Sequence, residues 1–219
     1  MLLSLLDEKA LVRYTRRQLD QFFPDSLPTE EIEKHVDEVL DRTSCCFSAV
    51  HDRYFKKDSQ TCFNHLNTDH YAMFLYLLSN TLYRNGADER LCEKVFYLNK
   101  VLHGIDVFYS VELPNIFLLC HPVGTVLGHA KYSDYFLVYQ NCTIGSNHRV
   151  DYPILGKYVA VYRGASILGK CTIGDNCKIA ADSLILDQDL DANRIYIGTP
   201  SSHIIKENRH HDRIWEPKA

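Results

Sequence analysis

Along the C-terminal half of the chain an aliphatic or aromatic residue returns every sixth position. The leading positions are Val126, Tyr132, Val138 and Ile144, then Leu155, Val161, Ile167, Ile173, Ile179 and Ile185. A helix face repeats near 3.6 residues and a strand face near 2. Six is a multiple of two, so extended backbone is allowed, but a plain strand would not hold a small residue at a fixed offset. Here Ala130, Cys142, Ala165, Cys171, Cys177 and Ser183 each follow a leader by four positions, with Phe136 and Val159 as larger exceptions. Glycine follows closely in LGH, IGS, LGK and IGD, where a corner can be turned at low steric cost. A six-residue repeat of this kind predicts a parallel β-helix, in which short strands and tight corners stack coil on coil. Ile144 and Leu155 are eleven apart rather than twelve, so a loop should protrude at GSNHRVDYP.

The first hundred residues follow a different period. In TEEIEKHVDEVLDRT the apolar positions Ile32, Val36, Val39 and Leu40 have helical spacing, with Thr29 as the expected N-cap. DHYAMFLYLLSNTLYRNG reads as a strongly apolar helix stopped by Asn85-Gly86, and DERLCEKVFYLNKVLHG as another ending near Gly104. The predicted fold class is therefore α+β. A helical domain over 1–104 precedes a β-helix over 105–205, and a charged tail over 206–219 follows as a strap or a loose end. Stacked coils bury their faces only against neighbours, so the helical half should cap one end.

Composition narrows the function classes. The chain has 219 residues, 46% hydrophobic and 24% charged, which fits a globular protein. Its net charge of −4, without a strongly basic stretch, argues against nucleic acid as a partner. MLLSLL is too short for a signal peptide, and no run of 18 apolar residues predicts a membrane span. Eight cysteines without an export signal read as reduced thiols in a cytosol. There is no C-x-x-C, and Cys142, Cys171 and Cys177 belong to the hexads, so buried thiols are preferred to a metal site.

The hexads resemble those of the hexapeptide-repeat acyltransferases, which implies a left-handed β-helix. GIDVFYSVELPNIFLLCHPVGTVLGHA and the closing IYIGTPSSHII are similar to stretches of the serine O-acetyltransferases within that superfamily. The resemblance implies a catalytic pair, Asp106 and His121, with acetyl-CoA as co-substrate and no metal. The chemistry is sound on its own terms. Moving acetyl from a thioester to an alcohol requires removal of the hydroxyl proton, which a neutral imidazole can take near pH 7. A carboxylate on the other ring nitrogen would fix the tautomer. The resemblance also implies a homotrimer, able to pair into a hexamer, with acetyl-CoA lying between adjacent β-helices. Ser146, Arg163, Lys178 and Ala181 align with donor-side positions.

The acceptor side departs from the family pattern. Cys120 stands where the family has an aspartate for the amino group of serine, and Asp151-Tyr152 replace an arginine and a histidine that meet its carboxylate. His129 replaces a glutamate. Asp58 is the expected counterpart of an acid supplied by the helical half. An acidic residue facing a carboxylate costs about 1 kcal/mol or more. These substitutions favour a sugar or polysaccharide hydroxyl as acceptor over free serine, with genuine L-serine acetylation as the alternative. A catalytically inactive scaffold is a reading of another class. A metal-dependent hydratase using His121, His129 and His148 is a further one.

Overall fold

The structure, a computed structural model, describes residues 1–215. Four helices open the chain: α1 (Glu8–Phe22), α2 (Glu31–Ser48), α3 (Thr68–Arg84) and α4 (Glu89–His103). α3 is buried without interruption from Asp69 to Leu82, packed between α2 and α4. A helix apolar on every side is stable only when surrounded. Its stop at Asn85 and Gly86, and the left-handed Gly104 that ends α4, are as the sequence predicts. Thr29 is not an N-cap. Its hydroxyl accepts instead from Arg16 Nε at 2.9 Å, and α2 begins at Glu31 with no side-chain cap. The helical reading also passed over three short strands, Leu2–Leu3, Lys56–Lys57 and Gln60–Phe63, which form a small sheet. Phe63 anchors that sheet among Phe47, Phe74 and His70.

From Asp106 onward the chain winds as a left-handed parallel β-helix of about five coils, triangular in section. On the first face the inward column is Leu119, Val138, Val161, Ile179 and Tyr196. On the second it is Val107, Leu127, Ile144, Ile167 and Ile185. The third stacks Leu155 on Ile173 and Ile173 near Leu190. All of these are almost fully buried. Burying each such side chain contributes about 1.5–3 kcal/mol, which stacking alone supplies in a coil with no other core. The small offset residues Cys142, Ala165, Cys171, Cys177 and Ser183 are buried at the corners. One leader is out of register: Val126 is 41% exposed, and Leu127 points inward in its place over Ile144.

Two corners are enlarged, and they carry most of the chemistry. The chain advances by seven from Leu119 to Val126, whereas the paired residues Val138 and Thr143 are five apart. The first-to-second corner therefore holds two extra residues in the top coil, and His121 is one of that segment, at φ 50°. Below it the same corner is regular: Asn141, Gly164 and Asp182 all have positive φ. Glycine suits position 164, where φ is 70° and a Cβ would push the Asp182 carboxylate aside. On the second-to-third corner Ile154 lies nine positions after Gly145, against four from Leu168 to Thr172. The loop predicted at GSNHRVDYP is there, with Asn147 donating to Asp187 at 2.7 Å.

After the antiparallel strands Arg194–Thr199 and Ser202–Glu207 the tail returns along the third-to-first corner. Asn208 bonds Asn176, the His211 ring stacks on Tyr158 at 3.9 Å, and Trp215 packs on Tyr135. Ile214 accepts a hydrogen bond from the His51 amide. Over 208–215 the tail is thus a strap that ties the coils to the helical half, and residues 216–219 of that expected segment lie outside the described residues.

The stacked columns make a direct test possible. Ile167→Ala, in the middle of the second column, should lower unfolding free energy by about 2–5 kcal/mol. Leu186→Ala, on the outer side of the same strand pair, should cost under about 1 kcal/mol. Urea denaturation followed by circular dichroism measures both.

Candidate active site

A groove of about 600 Å³ runs down the first-to-second corner. His121 stands at its upper end, Tyr139 and Tyr162 form one wall, and Arg163, Lys178 and Ala181 line the lower part. The two tyrosine rings stack at 5.4 Å. Three of the four donor-side residues named from the sequence are therefore in one groove with His121. Ser146 is exposed on the second-to-third corner and does not line it.

His121 is displayed rather than packed: its side chain is 72% exposed. The widened corner pushes it outward, and Val123 closes that turn by donating its amide to the His121 carbonyl. What faces it is Asp69. Nδ1 of His121 lies 3.5 Å from Asp69 Oδ2. Asp69 is in the first turn of α3, where Asn67 caps by accepting from the amides of Asp69 and His70. The helix N-terminus favours a carboxylate there. Burial nevertheless pushes the Asp69 carboxyl above its ordinary value, opposed by the backbone and charge of His121. Its second oxygen, Oδ1, is buried without a hydrogen-bond partner.

The carboxylate at the imidazole therefore comes from the helical half, not from Asp106, the position that the resemblance implies. Asp106 is half-buried on the second face, and its Oδ2 accepts from Lys100 Nζ at 2.6 Å. No hydrogen bond or ion pair joins it to His121. From the sequence Asp69 is placed only at the start of a strongly apolar helix and is given no role.

Cys120 adjoins His121 and is partly buried; burial first, then the charge of Asp69, pushes its thiol up to about 12. Burial likewise pushes the Tyr139 hydroxyl up to about 12. Tyr162 donates to Asp212 of the strap at 2.6 Å, and Lys178 Nζ donates to the His211 carbonyl at 3.4 Å. The strap thus holds two groups of the groove wall. The other acceptor-side candidates are elsewhere in the chain. His129 and Tyr152 face each other at 6.1 Å beside Asp151 and the protruding loop, on the second-to-third corner. Asp58 is at the exposed tip of the helical half's hairpin, at φ 49°.

Comparison with known proteins bears on what this arrangement does. No family model matches the chain. A putative serine acetyltransferase of Schizosaccharomyces pombe is 27% identical over 138 residues, covering 61% of this chain and 50% of the relative. The serine acetyltransferase of Synechococcus elongatus is 31% identical over 114 residues, covering 50% and 46%. The chain thus spans about half the length of these curated relatives. A crystal structure of serine acetyltransferase from Brucella abortus has a TM-score of 0.72 at 20% identity, covering 94% of this chain and 85% of that one. A serine acetyltransferase solved in complex with cysteine has a TM-score of 0.74 at 18% identity, covering 97% and 84%. The chain resembles the serine acetyltransferases of the hexapeptide-repeat superfamily in sequence, and it has their fold.

The electrostatics of Cys120 can be checked without any substrate. At pH 8 iodoacetamide should alkylate Cys120 more than tenfold more slowly than the exposed Cys45, because only the thiolate reacts. Peptide mapping of a time course reads the two rates.

Proposed function

We propose that this protein is an acetyl-CoA-dependent O-acetyltransferase in which His121 is the general base and Asp69 the group that orients it. The observation that carries the reading is the His121–Asp69 pair at the head of the groove. With Nδ1 directed at the carboxylate, the neutral ring holds its proton there and presents the Nε2 lone pair outward. Nε2 takes the proton of the acceptor hydroxyl as the oxygen attacks the thioester carbonyl. The new C–O bond forms, the C–S bond breaks, and the departing CoA sulfur receives the proton from the imidazolium. The carboxylate stabilises the imidazolium in between. The thioester is already activated, so no covalent enzyme intermediate is required.

The groove suits the donor. Lys178 and Arg163 supply cations for phosphates, and Ala181 lets an extended chain approach the backbone. The remaining sequence-derived contacts, Ser146, His129, Asp151 and Tyr152, cluster on a different corner of the same prism. A three-fold assembly that sets one protomer's second-to-third corner beside the first-to-second corner of the next would unite them. This supports the trimer reading, which sedimentation equilibrium tests. Eight free thiols support a cytosolic setting.

L-Serine is the acceptor that the relatives' activity suggests. The helical half does bring a carboxylate to the site, and it is Asp69 rather than Asp58. A sugar hydroxyl is the second reading, favoured by Cys120 and by the tyrosine-lined wall, which offer hydrogen bonds and aromatic surface instead of charge. Assay with L-serine and with a panel of sugars separates the two.

His121→Ala should reduce CoA release from acetyl-CoA by about 10²–10⁴-fold. Asp69→Asn should lower kcat/KM at least tenfold, since the ring loses the carboxylate that orients it. Asp106→Asn, which removes only the Lys100 partner, should leave kcat/KM within about twofold. A loss of activity with Asp106→Asn and not with Asp69→Asn would reverse the assignment.

A further inference from the structure

Asp69, Cys120 and His121 place a carboxylate oxygen, a thiol sulfur and an imidazole nitrogen within 4.8 Å of one another. We infer that these three side chains form a binding site for a divalent transition metal of the zinc type, and that an ion bound there switches the general base off. Zinc is bound in proteins by this donor set: imidazole nitrogen, thiolate sulfur and carboxylate oxygen. Tetrahedral coordination with metal–nitrogen and metal–oxygen bonds of about 2.0–2.1 Å sets those two atoms about 3.3 Å apart. Nδ1 of His121 and Oδ2 of Asp69 are 3.5 Å apart already.

A second observation points to a ligand independently of the spacing. Asp69 is 9% exposed, and its Oδ1 is buried with no hydrogen-bond partner. A buried carboxylate left half-satisfied is costly, and a cation bound by this carboxylate offsets part of that cost. The negative charges of Asp212 and Asp52 also reach Cys120 and add to the pull on a cation. Entry is open from the His121 side, where the ring is exposed.

Binding displaces the thiol proton of Cys120 to solvent, so affinity rises with pH. It also replaces the proton on Nδ1. The neutral ring then carries its one proton on Nε2, and the lone pair that would accept the acceptor's proton is gone. That inhibitory consequence rests on the acetyl-transfer reading; the binding itself does not.

Cobalt(II) added to the full chain without acetyl-CoA is the test. The wild type should show a near-ultraviolet thiolate-to-cobalt charge-transfer band with visible bands of a four-coordinate ion. These should saturate at one ion per chain and be bleached by zinc. Cys120→Ser should lose the charge-transfer band. His121→Gln and Asp69→Asn should each weaken binding at least tenfold. Cys45→Ser should keep the spectrum, and circular dichroism checks the fold of each, with Cys120→Ala standing in if the serine variant fails to fold. Absence of a sulfur band in the wild type, its persistence in the Cys120 variants or its loss in Cys45→Ser would overturn the inference. Surface imidazoles such as His210 give no sulfur band. Because no acetyl group is present, a failure here is separate from a failure of the catalytic reading.

Discussion

Parallel pairing between coils is the constraint from which everything else in the molecule follows. Each strand is only two to six residues long and has no stability of its own. It is held because Ile144, Ile167 and Ile185 sit directly over one another, as do Val138, Val161 and Ile179. A slip of one residue would turn a column outward to water. The register is therefore rigid along the faces, and any extra residue must be expelled at a corner. Two corners take such insertions, and both protrude. His121 owes its exposure to this expulsion: a rigid column beneath it and two surplus residues around it.

The same constraint explains why the helical half matters to the site. A β-helix buries nothing beyond its last coil, so its open end needs a cover. α3 serves as the buried axis of that cover, and its N-terminal turn arrives beside the enlarged corner. The site is assembled from a helix start and a β-helix corner, with the C-terminal strap bracing the wall through Tyr162 and Lys178. A carboxylate delivered this way is desolvated by the cover and stabilised by the helix terminus. Burial dominates, since its proton affinity is raised.

The fold was legible because a six-residue period has few structural explanations. Nine of the ten leaders are buried or partly buried in their columns, and the one slip, Val126 for Leu127, falls where the widened corner shifts the count. His121 is singled out by the family resemblance rather than by spacing alone, and it stands at the head of the groove. Asp69 was not legible. Its partner is 52 positions away, and at the sequence level its role in a helix start already accounts for it. Asp106 shows the opposite case: the right spacing, on a face where Lys100 takes its carboxylate. Acceptor-side residues read as one group divide between two corners and the helical half, because alignment along a chain carries no information about which part of the fold each position occupies.

The most direct test of this account is nitrogen-15 NMR of the His121 imidazole in the free protein. The account predicts the tautomer protonated at Nδ1, a preference lost in Asp69→Asn and kept in Asp106→Asn. A ring protonated at Nε2, or a tautomer that answers to Asp106 and ignores Asp69, would contradict the assignment of the pair on which the proposed chemistry stands.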